Sequence, residues 1–98
     1  MSDGKSMWHL RLYVAGESPK SVAASANLNA LCEEHLAGRY NIETIDVLER
    51  PALAREDDIL AIPTLVRRAP VPTRKVIGDL SDAARVRIIL RIPTASAV

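Results

Sequence analysis

Ile59-Leu60-Ala61-Ile62-Pro63-Thr64-Leu65-Val66 is the stretch around which the rest of the chain is arranged. Asp57 and Asp58 precede it, and Arg67-Arg68 follow. It reads as a helix end that passes through a proline into a short buried strand. Proline has no N–H to give a sheet ladder, so Pro63 belongs at the start of that strand. The ring also biases Ile62 toward extended backbone. A turn here is compatible with a cis Ile62–Pro63 bond, although most X–Pro bonds in folded proteins are trans. The sequence leaves both isomers open.

Upstream, Leu10, Leu12 and Val14 alternate with His9, Arg11 and Tyr13, which is the period of a strand. A turn at Ala15-Gly16-Glu17 leads to Ser18-Pro19, a helix start in which Ser18 caps free amides and Pro19 loses no hydrogen bond. Ala24, Leu28, Leu31, Cys32 and either His35 or Leu36 form the apolar stripe of that helix, with Glu33 and Glu34 outward. Gly38 suits its left-handed stop. A second strand runs from Tyr40 to Leu48, with Ile42, Ile45 and Val47 as its buried positions. Strand, helix, strand is a βαβ unit, so these two strands should be parallel. Arg50-Pro51 starts another helix, with Leu53 and Ile59 or Leu60 inward and Glu56-Asp57-Asp58 outward.

Downstream, Ala69-Pro70-Val71-Pro72-Thr73 can neither continue a helix nor pair fully in a sheet. Residues 74–78 form a short strand beyond it, giving a hairpin around the prolines. Ser81 is the expected cap of a last helix, with Asp82 in its first turn. Ala83, Val86, Ile89 and Leu90 make the apolar stripe, Arg85, Arg87 and Arg91 flank it, and Pro93 ends it. The order β-α-β-α-β-β-α is that of the α/β thioredoxin-like fold, in which a cis-proline typically precedes the third strand. One domain is expected over 1–98, with a core of about 8–92 and tails at 1–6 and 94–98.

The 98 residues are 48% apolar, contain no Phe and carry only Trp8, Tyr13 and Tyr40 as aromatics. Aliphatic side chains must therefore fill the core. No apolar run approaches the roughly 20 residues of a membrane helix, and the N-terminus lacks the apolar region of a secretory signal. A single cysteine cannot form an internal disulfide, which fits the cytoplasm. Net charge is only +1, so a nucleic-acid partner is not expected. The charges are nonetheless split. Residues 33–58 hold eight acidic and three basic side chains, and residues 67–91 hold seven basic and two acidic. That division suits oriented docking on a protein or head-to-tail self-association; it is equally the pattern of ordinary solvated faces.

A thiol enzyme of this fold would carry its nucleophilic sulfur at the start of the first helix, where the helix end depresses the pKa. The chain has Gly16-Glu17-Ser18-Pro19 there, and Cys32 lies far down the helix on the apolar stripe. No CxxC pair exists. Ser18 has no histidine close in sequence to activate it. His9 and His35 lack metal-site spacing, there is no phosphate-cradling glycine loop, and no aromatic interleaves Arg67, Arg68, Arg74 and Lys75 to stack bases. No catalytic, cofactor or metal residue is assigned. The expected function is contact.

Several segments together resemble the KaiB family. They are Leu10-Arg11-Leu12-Tyr13-Val14-Ala15-Gly16, Ser18-Pro19 with Ser21-Val22, Ile45-Asp46-Val47-Leu48, and Pro51 with Leu53-Ala54. To these are added Glu56-Asp57, Ile59-Leu60-Ala61, Pro63-Thr64-Leu65, and Arg74-Lys75 leading to Ile77-Gly78-Asp79-Leu80-Ser81. The resemblance implies a non-catalytic adaptor that binds the hexameric ATPase ring of KaiC, an autokinase and autophosphatase, and influences its phosphorylation and output kinases in a circadian clock or simpler timer. It implies contact through Leu48 and the helix 51–60, with Ala52, Arg55, Glu56 and Asp58 outward. It further implies a switch of fold in residues 50–91, between a self-associating arrangement and a thioredoxin-like monomer. The candidate switch positions are Pro63, Pro70, Pro72, Ile89 and Arg91. Many family members have a basic residue where Asp58 stands, and cyanobacterial members have small or acidic residues in place of Ile89 and Arg91. A larger apolar residue and a cation favour continuous helix there, so the thioredoxin-like form is expected to be populated more in this chain. Two other functions compete: a KaiB-like sensor domain of a clock-output histidine kinase, which would continue into a coiled coil, and a thiol or glutathione enzyme.

Overall fold

A computed structural model describes residues 7–93; the tails expected at 1–6 and 94–98 lie outside the described residues. The elements are β1 (Trp8–Val14), α1 (Pro19–His35), β2 (Tyr40–Asp46), α2 (Pro51–Glu56), β3 (Thr64–Ala69), β4 (Arg74–Ile77) and α3 (Ala83–Leu90). They build a four-stranded sheet in the order β2-β1-β3-β4. β1 and β2 are parallel, joined through α1, whereas β3 pairs antiparallel with both β1 and β4. The thioredoxin-like α/β order expected from the sequence is the one observed.

The alternation in β1 divides the interior. Trp8, Leu10, Leu12 and Val14 join Leu65 and Val76 on one face, under Ala24, Leu28, Leu31, Cys32 and Leu36 from α1 and its end, and Val86 and Leu90 from α3. Tyr13, Ile45 and Val66 make a much smaller cluster on the other face, beneath Leu53, Ala54, Ile59 and Ile62. Ile42 and Ile45 are three residues apart in a period-two element and so face opposite sides. Val47 lies beyond β2 and is half-buried.

Local signals were met with shifts of one to a few residues. Pro19 opens α1, but the Ser18 hydroxyl donates to Ser21 Oγ (2.8 Å) and caps no amide. Ser21 Oγ instead accepts from Ala15 N–H (3.1 Å), fastening the β1–α1 turn. α1 ends at His35, and Gly38 (φ +77) serves the following turn, where Arg39 N–H reaches Leu36 O. α3 is capped by Asp82, whose carboxylate accepts from Arg85 N–H (3.1 Å), and not by Ser81. Ala83 is exposed.

The largest correction concerns α2, which stops at Glu56 and does not continue to residue 60. Asp58 turns left-handed (φ +55), Asp58 N–H donates to Arg55 O (3.1 Å), and Ile59 N–H reaches back to Ala54 O (2.9 Å). This is a Schellman stop, with the packed Ile59 and Ala54 supplying its apolar contact. Arg91 (φ +59) ends α3 in the same way, with Ile92 N–H on Arg87 O (3.0 Å), two residues before Pro93. The Ile62–Pro63, Ala69–Pro70 and Val71–Pro72 bonds are cis. Pro63 is buried at the start of β3, and its carbonyl accepts from Gly78 N–H (2.9 Å).

Two substitutions gauge these features. Leu12→Ala removes a fully buried side chain from the larger core and should cost about 2–5 kcal/mol. Asp82→Ala removes a cap and should cost about 1 kcal/mol. Denaturant midpoints check both; a loss under 1 kcal/mol for Leu12→Ala would contradict the assigned core.

Candidate partner-binding surface

α2 has only six residues and none of them is buried. Isolated helices of that length are unstable in water, so its position must come from what holds its ends. The main hold is Asp57. Its Oδ2 accepts from Tyr13 Oη (2.6 Å) and Arg11 Nη1 (3.1 Å), and its Oδ1 accepts from Arg68 Nη1 (2.8 Å). Lys75 Nζ donates to the Asp57 carbonyl. One acidic residue after α2 thus reaches β1, β3 and β4 together. Arg11 extends the network to β2 through Glu43 (3.0 Å), the residue opposite it in the parallel ladder. The carbonyl of Leu53 lies 3.0 Å from Tyr13 Oη. The hydroxyl has one proton, and the shorter, charge-assisted carboxylate contact holds it.

Asp57 was expected to face solvent with its neighbours; instead its side chain is only 13% exposed. Burial alone would push its carboxyl pKa up, but the Tyr13 hydrogen bond, the Arg68 charge and the Arg11 hydrogen bond outweigh it and hold the pKa below the ordinary value. Burial and the Asp57 hydrogen bond push the Tyr13 phenol up. Sequence periodicity missed this because it carried the helix past Glu56. The Schellman stop changes the phase, turning Asp57 to the sheet and settling the Ile59-or-Leu60 choice for Ile59. Arg11 and Tyr13, both on the face of β1 turned away from Leu10 and Leu12, were the available sign of a polar acceptor above that face.

The outward side of α2 carries Ala52, Arg55 and Glu56, with Asp58 just beyond, all exposed. Leu48, in the turn before α2, is 75% exposed, and Leu60 beyond it is 93% exposed. The apolar ends of the surface are therefore Leu48 and Leu60, the second unanticipated. Of the other residues singled out, Pro70 and Pro72 sit in the β3–β4 connection, and Ile89 and Arg91 lie at the far end of α3. They do not adjoin α2 in sequence, and the side chains that hold Asp57 are those of Tyr13, Arg11, Arg68 and, on its carbonyl, Lys75.

A family model described as the KaiB domain matches residues 11–92. The chain belongs to the KaiB family. It is 51% identical over 88 residues to the circadian clock oscillator protein KaiB of Cyanothece sp., covering 90% of this chain and 84% of that one. The KaiB of Acaryochloris marina is also 51% identical, with 90% and 85% covered. Among solved structures, this KaiB-family chain is similar to the N-terminal domain of Synechococcus elongatus SasA (TM-score 0.70, 23% identity, 88% of this chain and 85% of that chain). It is likewise similar to oxidised mitochondrial thioredoxin 3 of Saccharomyces cerevisiae (TM-score 0.70, 20% identity, 91% and 82%). The structural likenesses establish the thioredoxin-like fold, and family membership supports a clock role.

Where a thioredoxin-like redox enzyme would place its thiols, the KaiB-family chain has the Ser18–Ser21 hydroxyl pair. Cys32 is fully buried, and burial followed by the Glu33 charge pushes its thiol up to about 12. It is a core thiol, not a thiolate, near neutrality. Among the described residues no group of three or more His, Cys, Asp or Glu is placed to hold a metal ion.

The clamp should limit stability at both ends of the pH range. Because the Asp57 pKa is lowered on folding, its contribution is complete above about pH 4 and is lost as pH falls through the folded value. Because the Tyr13 pKa is raised, its contribution is complete below about pH 10 and is lost as pH rises beyond. Denaturant midpoints measured against pH should fall on both limbs in the native chain. Asp57→Asn should flatten the acid limb and Tyr13→Phe the alkaline one; profiles parallel to the native chain's would contradict the clamp.

Proposed function

We propose that this chain is a non-catalytic, cytoplasmic adaptor that docks on the hexameric ATPase ring of a KaiC-type autokinase. Docking alters the ring's phosphorylation or ATPase cycle and, with it, the output of a clock or timer. The observation that carries this is 51% identity over 90% of the chain to circadian clock oscillator proteins. The contact surface is Leu48, Ala52, Arg55, Glu56 and Asp58, to which Leu60 is added. Two exposed leucines bracketing a polar helix face supply apolar anchors within a polar surround, the usual anatomy of a specific protein contact. The acidic bias of residues 33–58 orients it.

A clock-output histidine kinase is the second partner or parent considered. The likeness to the SasA domain favours that reading at the level of fold alone, at 23% identity, and the twofold higher identity to KaiB proteins favours the adaptor. A second, self-associating arrangement of residues 50–91, as a dimer or tetramer, belongs to the same proposal. Its candidate positions remain Pro63, Pro70, Pro72, Ile89 and Arg91, and native mass spectrometry showing only monomer at every concentration would remove it.

Gel filtration of the chain with a KaiC-type hexamer and ATP tests the adaptor directly. The chain should move to the hexamer's position. Leu48→Ser and Leu60→Ser should weaken binding about tenfold or more without loss of stability, since both side chains are exposed. Absence of a complex in every phosphorylation state would refute the proposal.

A further inference from the structure

The antiparallel ladder sets Arg67 of β3 directly opposite Arg74 of β4. Strand alternation puts both on the face of Leu65 and Val76, the side covered by α3. Arg67 is 3% exposed, and its guanidinium carbon lies 5.5 Å from the centre of the Trp8 ring. Its Nη1 donates to the carbonyl of Leu90, the last residue of α3, and its Nη2 to Pro72 O (2.7 Å). Arg91 follows Leu90 directly and takes the left-handed turn there. Three guanidinium-bearing residues thus meet where the proline hairpin touches the end of α3.

Their charges are not matched by acid. Among the described residues no carboxylate pairs with Arg67, Arg74 or Arg91. The Nε atoms of Arg67 and Arg74 are buried and have no hydrogen-bond partner. Burial pulls the Arg67 pKa down first, and the charges of Arg74 and then Arg91 pull it further. Like charges directly opposite in a ladder repel, and buried charges are ordinarily paired. The α3 carbonyl end offsets part of the Arg67 charge, but it leaves Arg74 and Arg91 facing an uncompensated cation.

We propose that this junction binds a phosphate group, gripped by the partly exposed Arg74 and the exposed Arg91, with buried Arg67 as the charge beneath. A doubly charged oxyanion offsets more of the repulsion than a single carboxylate does, and the planar guanidinium fork matches its oxygens. The site lies on the α3 side of the sheet, opposite the α2 surface, and its existence does not depend on the adaptor role.

Trp8 is the chain's single tryptophan and reports on Arg67. The full chain is titrated at neutral pH and constant ionic strength with inorganic phosphate, and in a second arm with a phosphoserine peptide. A saturable change in Trp8 fluorescence is expected, weakened about tenfold or more in Arg74→Gln and in Arg91→Asn, the latter chosen because asparagine tolerates the left-handed backbone. Arg85→Gln, on the exposed first half of α3, should bind as the native chain does. Equal affinity in the two arms marks a free-phosphate site; tighter peptide binding marks a site for a protein-borne phosphoryl group. A response that never saturates, or one weakened equally by Arg85→Gln, overturns the proposal.

Discussion

One carboxylate holds the second half of the sheet's thinner side together. Asp57 collects Tyr13 and Arg11 from β1 and Arg68 from β3 on its side chain, and Lys75 from β4 on its carbonyl. Among the described residues the apolar cluster beneath α2 contains three buried side chains, against fifteen on the opposite face. Hydrophobic burial scales with area, so the α2 face cannot rely on it to the same degree. Hydrogen bonds to charged groups are individually stronger than neutral ones, and here they converge on the residue where the helix stops. The exposed surface from Leu48 to Leu60 has a defined shape because its underside is fastened in this way.

The two faces of the sheet treat adjacent arginines in opposite ways. Arg68 points to the α2 side and meets Asp57; Arg67 points to the α3 side and meets carbonyl oxygens, the Trp8 ring and the charges of Arg74 and Arg91. A register shift between β1 and β3 at His9 and Leu10 lies beside this pair. The basic excess of residues 67–91 is therefore not a uniform solvated face. Part of it is neutralised inside the structure, and part is buried without an anion. The acidic excess of residues 33–58 is divided similarly, between Asp57 turned inward and Glu56 and Asp58 left exposed.

Much of the architecture was legible because it rests on short-range rules. The alternation of β1, Pro19 at the first helical position, and the proline before β3 each have one local cause, and together they give the element order. The candidate surface was legible only in outline. Leu48 and the outward residues of α2 follow from the resemblance, but periodicity left Ile59 and Leu60 undecided and put Asp57 outward, because the helix was extended through Asp58. A left-handed aspartate is uncommon enough that sequence pattern favours continuing the helix, and the stop depends on Ile59 finding Ala54 and the sheet below. Ser18 and Ser81 were misread for a related reason: several residues near each helix start could cap, and tertiary geometry chose among them.

Asp57 sets the position of α2 and thereby of the proposed contact surface. Amide hydrogen exchange in Asp57→Asn, compared residue by residue with the native chain, tests it most directly. Local opening free energies vary across a structure, and loss of a local tie shows first in the segment it holds. Faster exchange is expected at Leu53, Asp57, Asp58 and Ile59, with β1 and α1 amides little changed. Unchanged protection in that segment, or an equal loss across α1 and α2, would contradict it.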